Sequence, residues 1–262
     1  MAKQKGKPGG AELFDAYYQD IYQKRWQPLK QSLMQEKAPI AFKKGLTQPY
    51  YLDEASVIAA QLLGVESGDH VLDMCAAPGG KTLVIAASLQ GRGSLISNDR
   101  SSARRARLKQ VIRDHLREEE QNIIQVTAHD ATRWSLYEQN QYDRILLDAP
   151  CSSERHVFHD PKALSLWSPS RPKRLAITQF AMLASALEAV KVGGYILYST
   201  CSINPGENER VVEKLFDKRI GRFTILDSKT EGSEERRYGS IILPDQGYGR
   251  GPLYFCLIRR EA

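Results

Sequence analysis

After residue 45 the chain alternates short apolar runs with longer helix-forming stretches, and this alternation limits the fold more than any other feature. Seven apolar runs have the length and composition of strands: 70–74, 94–99, 122–130, 142–148, 194–200, 223–227 and 253–258. Helical stretches separate most of them, and the longest spans about 173–191. Strands that alternate with helices favour a parallel sheet covered by helices on both faces. We therefore predict an α/β fold with a mostly parallel, seven-stranded sheet.

Three consecutive predicted strands end in an acidic residue. Asp99 ends the second strand, Asp130 the third and Asp148 the fourth. In open α/β sheets, ligands bind outside the carboxyl ends of the strands. An acid about twenty residues after a glycine-rich turn can bind ribose hydroxyls, so Asp99 is a candidate for that role. Asp130, one strand further on, is a candidate for the adenine edge of a nucleoside ligand.

The loop after the first strand, DMCAAPGGKT (73–82), limits the kind of ligand. Its GKT resembles a phosphate-binding loop, but that motif requires a glycine where this chain has Cys75. The GxGxxG pattern of dinucleotide sites is also absent. What remains is a turn of small residues, through which backbone can approach a ligand closely: Ala76, Ala77, Pro78, Gly79 and Gly80. The loop therefore favours a nucleoside cofactor that needs no diphosphate.

The segment before residue 46 has a different pattern. Residues 1–10 are basic and rich in Gly and Pro, which predicts a disordered arm. Beyond them, large apolar side chains recur at helical spacing: Phe14, Tyr17, Tyr18, Ile21, Tyr22, Trp26 and Leu29. We expect this stripe to pack an N-terminal helical extension, residues 11–45, onto a main domain of residues 46–262.

Composition and charge limit the partners. The 262 residues carry a formal net charge of +6, with Lys and Arg concentrated in 100–109 and 171–174, which favours a polyanionic partner. No apolar run approaches the roughly 20 residues of a membrane span, and the basic start lacks the apolar core of a secretion signal. We therefore expect a cytoplasmic, monomeric protein without a membrane anchor.

The four cysteines have no CxxC spacing, so neither a metal site nor a disulfide is expected. Cys75 and Cys256 are expected to pack as small apolar side chains.

Four motifs together resemble one family. DMCAAPGGKT, NDRSSARRARL, DAPCSS and YSTCSINPGENE follow the order and spacing of the Sun (RsmB-like) family of RNA cytosine-5 methyltransferases, over roughly residues 45–262. The resemblance implies a Rossmann-like class I methyltransferase fold and S-adenosylmethionine as the cofactor. It also implies a set of cofactor-binding positions: Cys75, Ala76, Ala77, Pro78, Gly79, Gly80, Lys81, Asp99, Arg104, Asp130, Ala131 and Asp148.

The reaction of this family gives a reason for two cysteines that follow strand ends. Carbon 5 of cytosine is a poor nucleophile until a thiolate adds to carbon 6, so the catalysis is covalent. The resemblance implies that Cys201 is this nucleophile and that Cys151 helps to resolve the adduct. It further implies that Asp148 contacts the cytosine edge. Lys81 is a candidate neighbour that favours the thiolate, because a free thiol with a pKa of about 8.5 is mostly protonated at neutral pH.

The substrate must expose its base. Carbon 6 is hidden in a duplex, so the target cytosine must be single-stranded or flipped out. The basic clusters 100–109 and 171–174 are candidates to hold the flanking phosphates. Four side chains beyond the DAPCSS motif could stack on or contact RNA, although ordinary packing is the expected role of each: Arg155, His156, His159 and Trp167.

Two departures from the family pattern lie beside the site. SSERH (152–156) replaces a glycine-containing run, and NPGENE (204–209) replaces the common NPEENE. SSERH and the ending GPLYFCLIRR most resemble the branch that contains the mitochondrial ribosomal-RNA enzyme, so ribosomal RNA is the predicted substrate. Many family members carry a separate RNA-binding domain. Here we expect the catalytic domain, the helical extension or a partner protein to recruit the RNA.

Three other functions remain open at this point. A DNA cytosine-5 methyltransferase would use a nucleophile that follows a proline, as Cys151 does. An amino-group methyltransferase would carry DAPC in place of an acid-Pro-Pro-aromatic signature, but its chemistry leaves both cysteines unexplained. A non-catalytic RNA-binding or ribosome-assembly factor would keep the fold without needing Cys201.

Overall fold

The computed structural model describes residues 9–262. Most of the predicted disordered arm lies outside the described residues, and Gly10 already begins a helix. The helices are α1 (Gly10–Tyr22), α2 (Trp26–Met34), α3 (Glu54–Leu62), α4 (Gly80–Leu89), α5 (Ser102–His115), α6 (Glu118–Asn122), α7 (Glu154–His159), α8 (Pro161–Ser165), α9 (Ser170–Ala189) and α10 (Glu209–Lys218), with 3₁₀ turns at Gln23–Arg25 and Ala131–Leu136. The strands are β1 (Ile40–Phe42), β2 (Tyr50–Leu52), β3 (His70–Asp73), β4 (Ser94–Asn98), β5 (Ile124–Thr127), β6 (Tyr142–Asp148), β7 (Val190–Thr200), β8 (Phe223–Leu226), β9 (Glu234–Glu235), β10 (Ser240–Ile242) and β11 (Leu253–Arg260).

Nine of these strands form one sheet. Their order is β5-β4-β3-β6-β7-β11-β10-β9, and β8 also pairs with β11. The first five strands in this order are parallel, whereas β11 is antiparallel to β7. The predicted Rossmann-like α/β fold is therefore confirmed, but the predicted number of seven strands is too low. The two additional strands, β9 and β10, have only two and three residues, which is too short to give a recognisable apolar run.

The strand order reverses beside β3, and this reversal positions the site. β4 and β5 lie on one side of β3, whereas β6 and β7 lie on the other. The segments that follow β3 and β6 therefore diverge and leave a crevice at the carboxyl ends of the strands, where such sheets bind their ligands. The DMCAAPGGKT and DAPCSS motifs lie at these two strand ends.

Side chains of the central strands alternate between two buried layers. Leu72 and Ile145 face one hydrophobic cluster, whereas Val71 and Leu146 face the other, and all four are fully buried. A strand that is buried on both faces is apolar at nearly every position. This is why β3 and β6 are clear in the sequence, and why their ends place the motif residues reliably.

The N-terminal helices pack into the same core. Phe14 and Trp26 are almost fully buried where α1 and α2 meet α7 and α8. The Trp167 ring lies edge-to-face on Phe14, with centroids 5.0 Å apart, a favourable aromatic geometry. After α2 ends at Met34, β1 and β2 form a separate antiparallel hairpin that crosses the expected boundary at residue 45. No helix in the described part of the chain is long and apolar enough to cross a membrane.

Candidate active site

The two cysteines that follow strand ends lie against each other. Cys151 follows β6 and Cys201 follows β7, and these neighbouring parallel strands pair Asp148 with Ser199. The two Sγ atoms are 3.1 Å apart. Ser153 Oγ lies 3.1 Å from Cys201 Sγ and 3.4 Å from Cys151 Sγ. The chain therefore builds one site with two thiols, and Cys201 is the more exposed of them.

Hydrogen bonding and burial give the two thiols different properties. Hydrogen bonds from Cys151 and Ser153 lower the pKa of the Cys201 thiol, and they outweigh the opposing effect of burial. The pKa of Cys151 is raised well above its ordinary value, first by its hydrogen bond with Cys201 and then by burial. The thiolate is the reactive form of cysteine. The geometry therefore favours Cys201 as the thiolate and Cys151 as a neutral hydrogen-bond donor.

Lys81 and Asp148 form a charged pair beside the thiols. Lys81 Nζ donates to Asp148 Oδ2 at 2.7 Å and to Ser56 Oγ at 3.2 Å. Ser199 Oγ donates to Asp148 Oδ1 at 2.9 Å. Burial opposes the charge on Lys81, but the Asp148 carboxylate outweighs it and raises the pKa of Lys81. Asp148 raises the pKa of Cys201 and Lys81 lowers it, so the two members of the pair act on this thiol in opposite directions.

A cavity of about 390 Å³, called the Cys201 cavity here, includes the exposed thiol in its wall. Its volume lies in the range of small-molecule sites. Its lining comes from the two cysteine loops, the starts of α3 and α4, helix α7 and the start of β11: Asp53, Ala55, Ser56, Lys81, Ser153, Arg155, His156, His159, Cys201, Gly251, Pro252 and Leu253.

A second cavity, of about 330 Å³, lies at the ends of β3, β4 and β5. It is lined by five of the predicted cofactor-binding residues: Cys75, Asp99, Arg104, Asp130 and Ala131. Lys81 lines the Cys201 cavity instead. The other predicted positions line neither cavity: Ala76, Ala77, Pro78, Gly79, Gly80 and Asp148.

Hydrogen bonds and an ion pair with nearby residues hold the two acids of this second cavity, Asp99 and Asp130, in place. Asp99 Oδ1 accepts a hydrogen bond from Ser101 N at 2.9 Å, and its Oδ2 lies 3.3 Å from Arg104 Nη1. Asp130 Oδ1 accepts from Thr132 N at 3.0 Å and from the Thr132 hydroxyl at 2.8 Å, which lowers the pKa of Asp130 despite some burial. Both carboxyl groups are held as acceptors on the cavity wall. They suit ribose hydroxyls and an adenine amino group.

Comparison with known proteins identifies the family. The model of the 16S rRNA methyltransferase RsmB/F family matches residues 60–249. This chain belongs to that family. The mouse 5-cytosine rRNA methyltransferase NSUN4 is 34% identical over 82% of this chain, which spans 61% of the mouse protein. The crystal structure of PH0851 shares the fold with a TM-score of 0.83, at 19% identity over 98% of this chain and 70% of that one. The predicted resemblance is confirmed, and with it S-adenosylmethionine as the cofactor.

The prediction of a cytoplasmic protein is wrong. The zebrafish mitochondrial tRNA (cytosine(34)-C(5))-methyltransferase is 30% identical to this RsmB/F family member over 82% of the chain and 61% of its own length. That relative is a mitochondrial enzyme, and this finding overturns the expectation of a cytoplasmic protein. The prediction rested on the absence of an apolar secretion signal. Mitochondrial targeting segments are amphipathic and Arg-rich, so that absence gives no information about them.

The glycines of the RsmB/F loop are required for packing within the protein. Gly79 has a φ of +120°, and a Cβ at this residue would lie 3.0 Å from Val111 Cγ1 on α5. A Cβ on Gly80 would lie 2.9 Å from Tyr50 Cε1 on β2. Both glycines therefore let neighbouring elements close over the turn, and the close approach of this backbone to a ligand stays a prediction.

Sequence reasoning missed a buried acid that joins the two cysteine loops. Glu154 lies in the segment after β6 and is fully buried. It accepts hydrogen bonds from Ser202 Oγ at 3.1 Å and Ile203 N at 3.0 Å, both in the segment after β7. The Tyr18 hydroxyl of α1 also donates to it. Burial raises the pKa of Glu154 to about 7.

A second missed acid, Glu207, strengthens the same connection. It is fully buried and accepts from Ser152 N at 2.9 Å, Gln179 Nε2 at 2.9 Å and Ser202 Oγ at 3.1 Å. Burial raises its pKa as well. The two acids lie within SSERH and NPGENE, the two segments that depart from the usual RsmB/F pattern. The sequence shows both departures, but it assigns no role to either acid.

Asn98, which immediately precedes Asp99, is a further residue of the site to which the sequence analysis assigns no role. Its Nδ2 donates to Met74 O at 3.0 Å and to His129 O at 3.1 Å, so it ties together the segments after β3 and β5. The residue is buried and lines the second cavity. It therefore helps to shape the site that the RsmB/F cofactor would occupy.

The four side chains beyond the DAPCSS motif have different environments. Trp167 is buried against Phe14, as expected for packing. His156 and His159 are exposed, and both line the Cys201 cavity together with half-buried Arg155. Three of the four therefore face the site, which sequence reasoning did not expect.

The remaining two cysteines pack. Burial raises the pKa of Cys75, and it raises that of Cys256 to about 12, so both remain protonated thiols. Within residues 9–262, no three His, Cys, Asp or Glu side chains are grouped so that they could bind a metal ion.

Proposed function

We propose that this chain is an S-adenosylmethionine-dependent RNA cytosine-5 methyltransferase and that ribosomal RNA is its substrate. The observation that carries the proposal is the pair of thiols 3.1 Å apart, with Cys201 exposed in a cavity. Pro150, which precedes Cys151, lines the second cavity, whereas Cys201 lines the first. An amino-group methyltransferase would need neither cysteine. Membership of a 16S rRNA methyltransferase family supports RNA over DNA.

In the proposed reaction, the Cys201 thiolate adds to carbon 6 of cytosine and makes carbon 5 nucleophilic. S-adenosylmethionine supplies an electrophilic methyl group when it is bound. Asp148 presents a carboxylate to the amino edge of the base, and its bonds from Lys81 and Ser199 fix its orientation. Lys81 also reduces the repulsion between this carboxylate and the thiolate.

Cys151 is placed to remove the proton from carbon 5 after methyl transfer. While Cys201 is a thiolate, its hydrogen bond and charge keep the pKa of Cys151 high. Once its sulfur is bonded to carbon 6, Cys201 carries no charge. It then no longer raises the pKa of Cys151 through its charge. Cys151 can then lose its proton to solvent and accept the proton of carbon 5. The electrons of that C–H bond restore the 5,6 double bond, and the Cys201 thiolate leaves carbon 6.

The proposed cofactor contact of Asp99 gives a binding prediction. Asp99→Asn is expected to weaken S-adenosylmethionine binding about 10-fold or more, because a charge-assisted hydrogen bond contributes about 1.5–3 kcal/mol. Asn keeps the oxygen that accepts from Ser101 N, but its amide nitrogen cannot accept from ribose hydroxyls. Isothermal titration calorimetry measures the change in Kd. Asp114→Asn, at an exposed position of α5, is the matched control. Equal affinities for wild type and Asp99→Asn would contradict this contact.

The proposed RNA contacts use the exposed cations of the two basic clusters, of which Arg100 and Arg104 line the second cavity. The exposed basic side chains of the two clusters are Arg100, Arg104, Arg107, Lys109, Arg171, Lys173 and Arg174. They would hold the phosphates that flank the target. In this proposal the chain acts as a monomer, with residues 46–262 as the methyltransferase domain and 11–45 as its extension. A partner protein would add further RNA contacts.

The test of this function is a methyl-transfer assay with product analysis. The protein is incubated with methyl-labelled S-adenosylmethionine and unmodified ribosomal RNA, and the RNA is digested to nucleosides. The expected labelled product is 5-methylcytidine. Label in N4-methylcytidine would indicate an amino-group methyltransferase, and label only in a DNA substrate would indicate a DNA enzyme. RNA binding without any methyl transfer would support a non-catalytic factor.

A further inference from the structure

One wall of the Cys201 cavity carries three basic side chains. Arg155, His156 and His159 lie on the short helix α7 and line the same cavity as the nucleophile. The two histidines are exposed, whereas the arginine is half-buried. A base that reaches Cys201 through this cavity must bring its sugar and phosphates past or beside these side chains.

Within residues 9–262, the Arg155 guanidinium has no carboxylate at ion-pair distance. Its Nη2 donates only to the carbonyl oxygens of Ser32 at 3.3 Å and Gly249 at 3.2 Å. Its Nε is buried and has no hydrogen-bond partner within residues 9–262. Burial lowers the pKa of Arg155 and Asp53 opposes that effect. The Asp53 carboxylate instead caps α3 by accepting from Ala55 N at 2.8 Å.

Several other half-buried arginines are paired with carboxylates, although Arg105 donates to the carbonyl oxygens of Asp99 and Arg100. Arg25 Nε lies 2.7 Å from Asp245 Oδ2, and Arg144 Nε lies 3.1 Å from Asp69 Oδ2. A partly desolvated charge without such a partner is unfavourable in the free protein. An anionic ligand in the cavity would compensate for it, and a guanidinium can donate two parallel hydrogen bonds to a phosphate.

We propose that Arg155, His156 and His159 form a subsite for a phosphate of the nucleotide whose base reaches Cys201. The inference rests on the proposed function, since it names how the same site takes its RNA substrate. A flipped nucleotide carries its own phosphates into the site. The cavity of about 390 Å³ has the size of a small-molecule site, and its lining holds both the reactive thiol and the uncompensated cation.

The experiment is a binding cycle that combines protein variants with changes in the RNA. The probe is a short single-stranded RNA with one central cytosine, and its affinity is measured by fluorescence anisotropy. Neutral methylphosphonates replace the phosphate on the 5′ side or on the 3′ side of the cytosine, or a phosphate at the end of the strand. The proteins are wild type, Arg155→Gln, Arg155→Lys and the control Arg92→Gln, whose exposed side chain lies at the opposite ends of the strands, before β4.

We expect Arg155→Gln to weaken binding of the native RNA about 10- to 100-fold. One of the two flanking methylphosphonates should weaken RNA binding by the wild type to a similar extent. The same methylphosphonate should have little further effect on the affinity of Arg155→Gln. Arg155→Lys should retain part of the affinity, which a misfolded variant would not do, and Arg92→Gln should bind like wild type. Additive losses at both flanking positions would overturn the proposal. This experiment measures binding, so its result does not depend on whether the wild type transfers methyl groups to RNA. The methyl-transfer assay with product analysis tests that function separately.

Discussion

Cys201→Ala is expected to lower methyl transfer to RNA by about 10⁴-fold or more, because it removes the nucleophile on which the covalent route depends. Cys151→Ala is also expected to stop turnover, but for a different reason. It leaves the Cys201 thiolate able to attack carbon 6 and removes the group that takes the carbon-5 proton. This variant should therefore accumulate a covalent protein–RNA adduct.

Denaturing gel electrophoresis separates these two outcomes. Each variant is incubated with S-adenosylmethionine and RNA that lacks the modification, and a shifted band reports the adduct. Cys256→Ala, a substitution in the buried strand β11, is the control and should neither trap RNA nor lose activity. An adduct with Cys201→Ala but not with Cys151→Ala would reverse the two roles, as in a DNA cytosine-5 methyltransferase.

The meeting of the two thiols could be predicted because it depends on regular structure. β6 and β7 are apolar on both faces, so their ends are visible in the sequence. Parallel neighbours in a sheet place equivalent loops at the same edge. Cys151 lies three residues beyond Asp148, the last residue of β6, and Cys201 directly follows Thr200, the last residue of β7. The distance of 3.1 Å between their Sγ atoms follows from this register together with the loop that carries Ser153.

The support of these loops could not be predicted, because it depends on contacts between distant parts of the chain. Glu154 has the local sequence of an exposed polar segment, but the segment after β7 and helix α1 both contact its carboxylate. Its partner Tyr18 is 136 residues away in sequence. The helical spacing of Tyr18 correctly predicts that its ring packs in the core. It does not predict that its hydroxyl donates a hydrogen bond to Glu154. A periodic pattern shows which face of a helix is buried, but it does not show which polar group it meets.

The cofactor loop shows a different limit. Its glycines mark a turn between β3 and α4, and that placement was correct. The sequence could not show that Val111 and Tyr50 occupy the space beside Gly79 and Gly80. Both neighbours come from elements whose relative positions are fixed only by the packed fold. For the same reason, the short strands β9 and β10 were not predicted, since β10 forms by pairing with β11 and β9 by pairing with β10.

Lys81→Met and Asp148→Asn are expected to change the reactivity of Cys201 in opposite directions. Lys81 lowers the pKa of the Cys201 thiol and Asp148 raises it. Lys81→Met removes the positive charge and leaves the carboxylate unpaired, so the pKa of Cys201 should rise. Asp148→Asn removes the negative charge, so that pKa should fall. Because alkylation requires the thiolate, its pH profile should move to higher pH in the first variant and to lower pH in the second.

Methyl transfer should fall in both variants, although their alkylation profiles shift in opposite directions. This contrast separates the effect of Lys81 and Asp148 on the Cys201 thiol from the contact that Asp148 makes with the cytosine. In Lys81→Met we expect a loss of about 10²- to 10³-fold in kcat/KM, comparable to removal of one preorganised electrostatic group. Asp148→Asn should also lose methyl transfer although its thiol is more reactive, because the acceptor for the cytosine amino edge is gone. The measurements are iodoacetamide alkylation rates against pH, made in the Cys151→Ala background, beside methyl transfer by each single variant. Shifts of both alkylation profiles in the same direction would mean that Lys81 and Asp148 act on Cys201 by altering the loop geometry, and that their charges do not set its pKa.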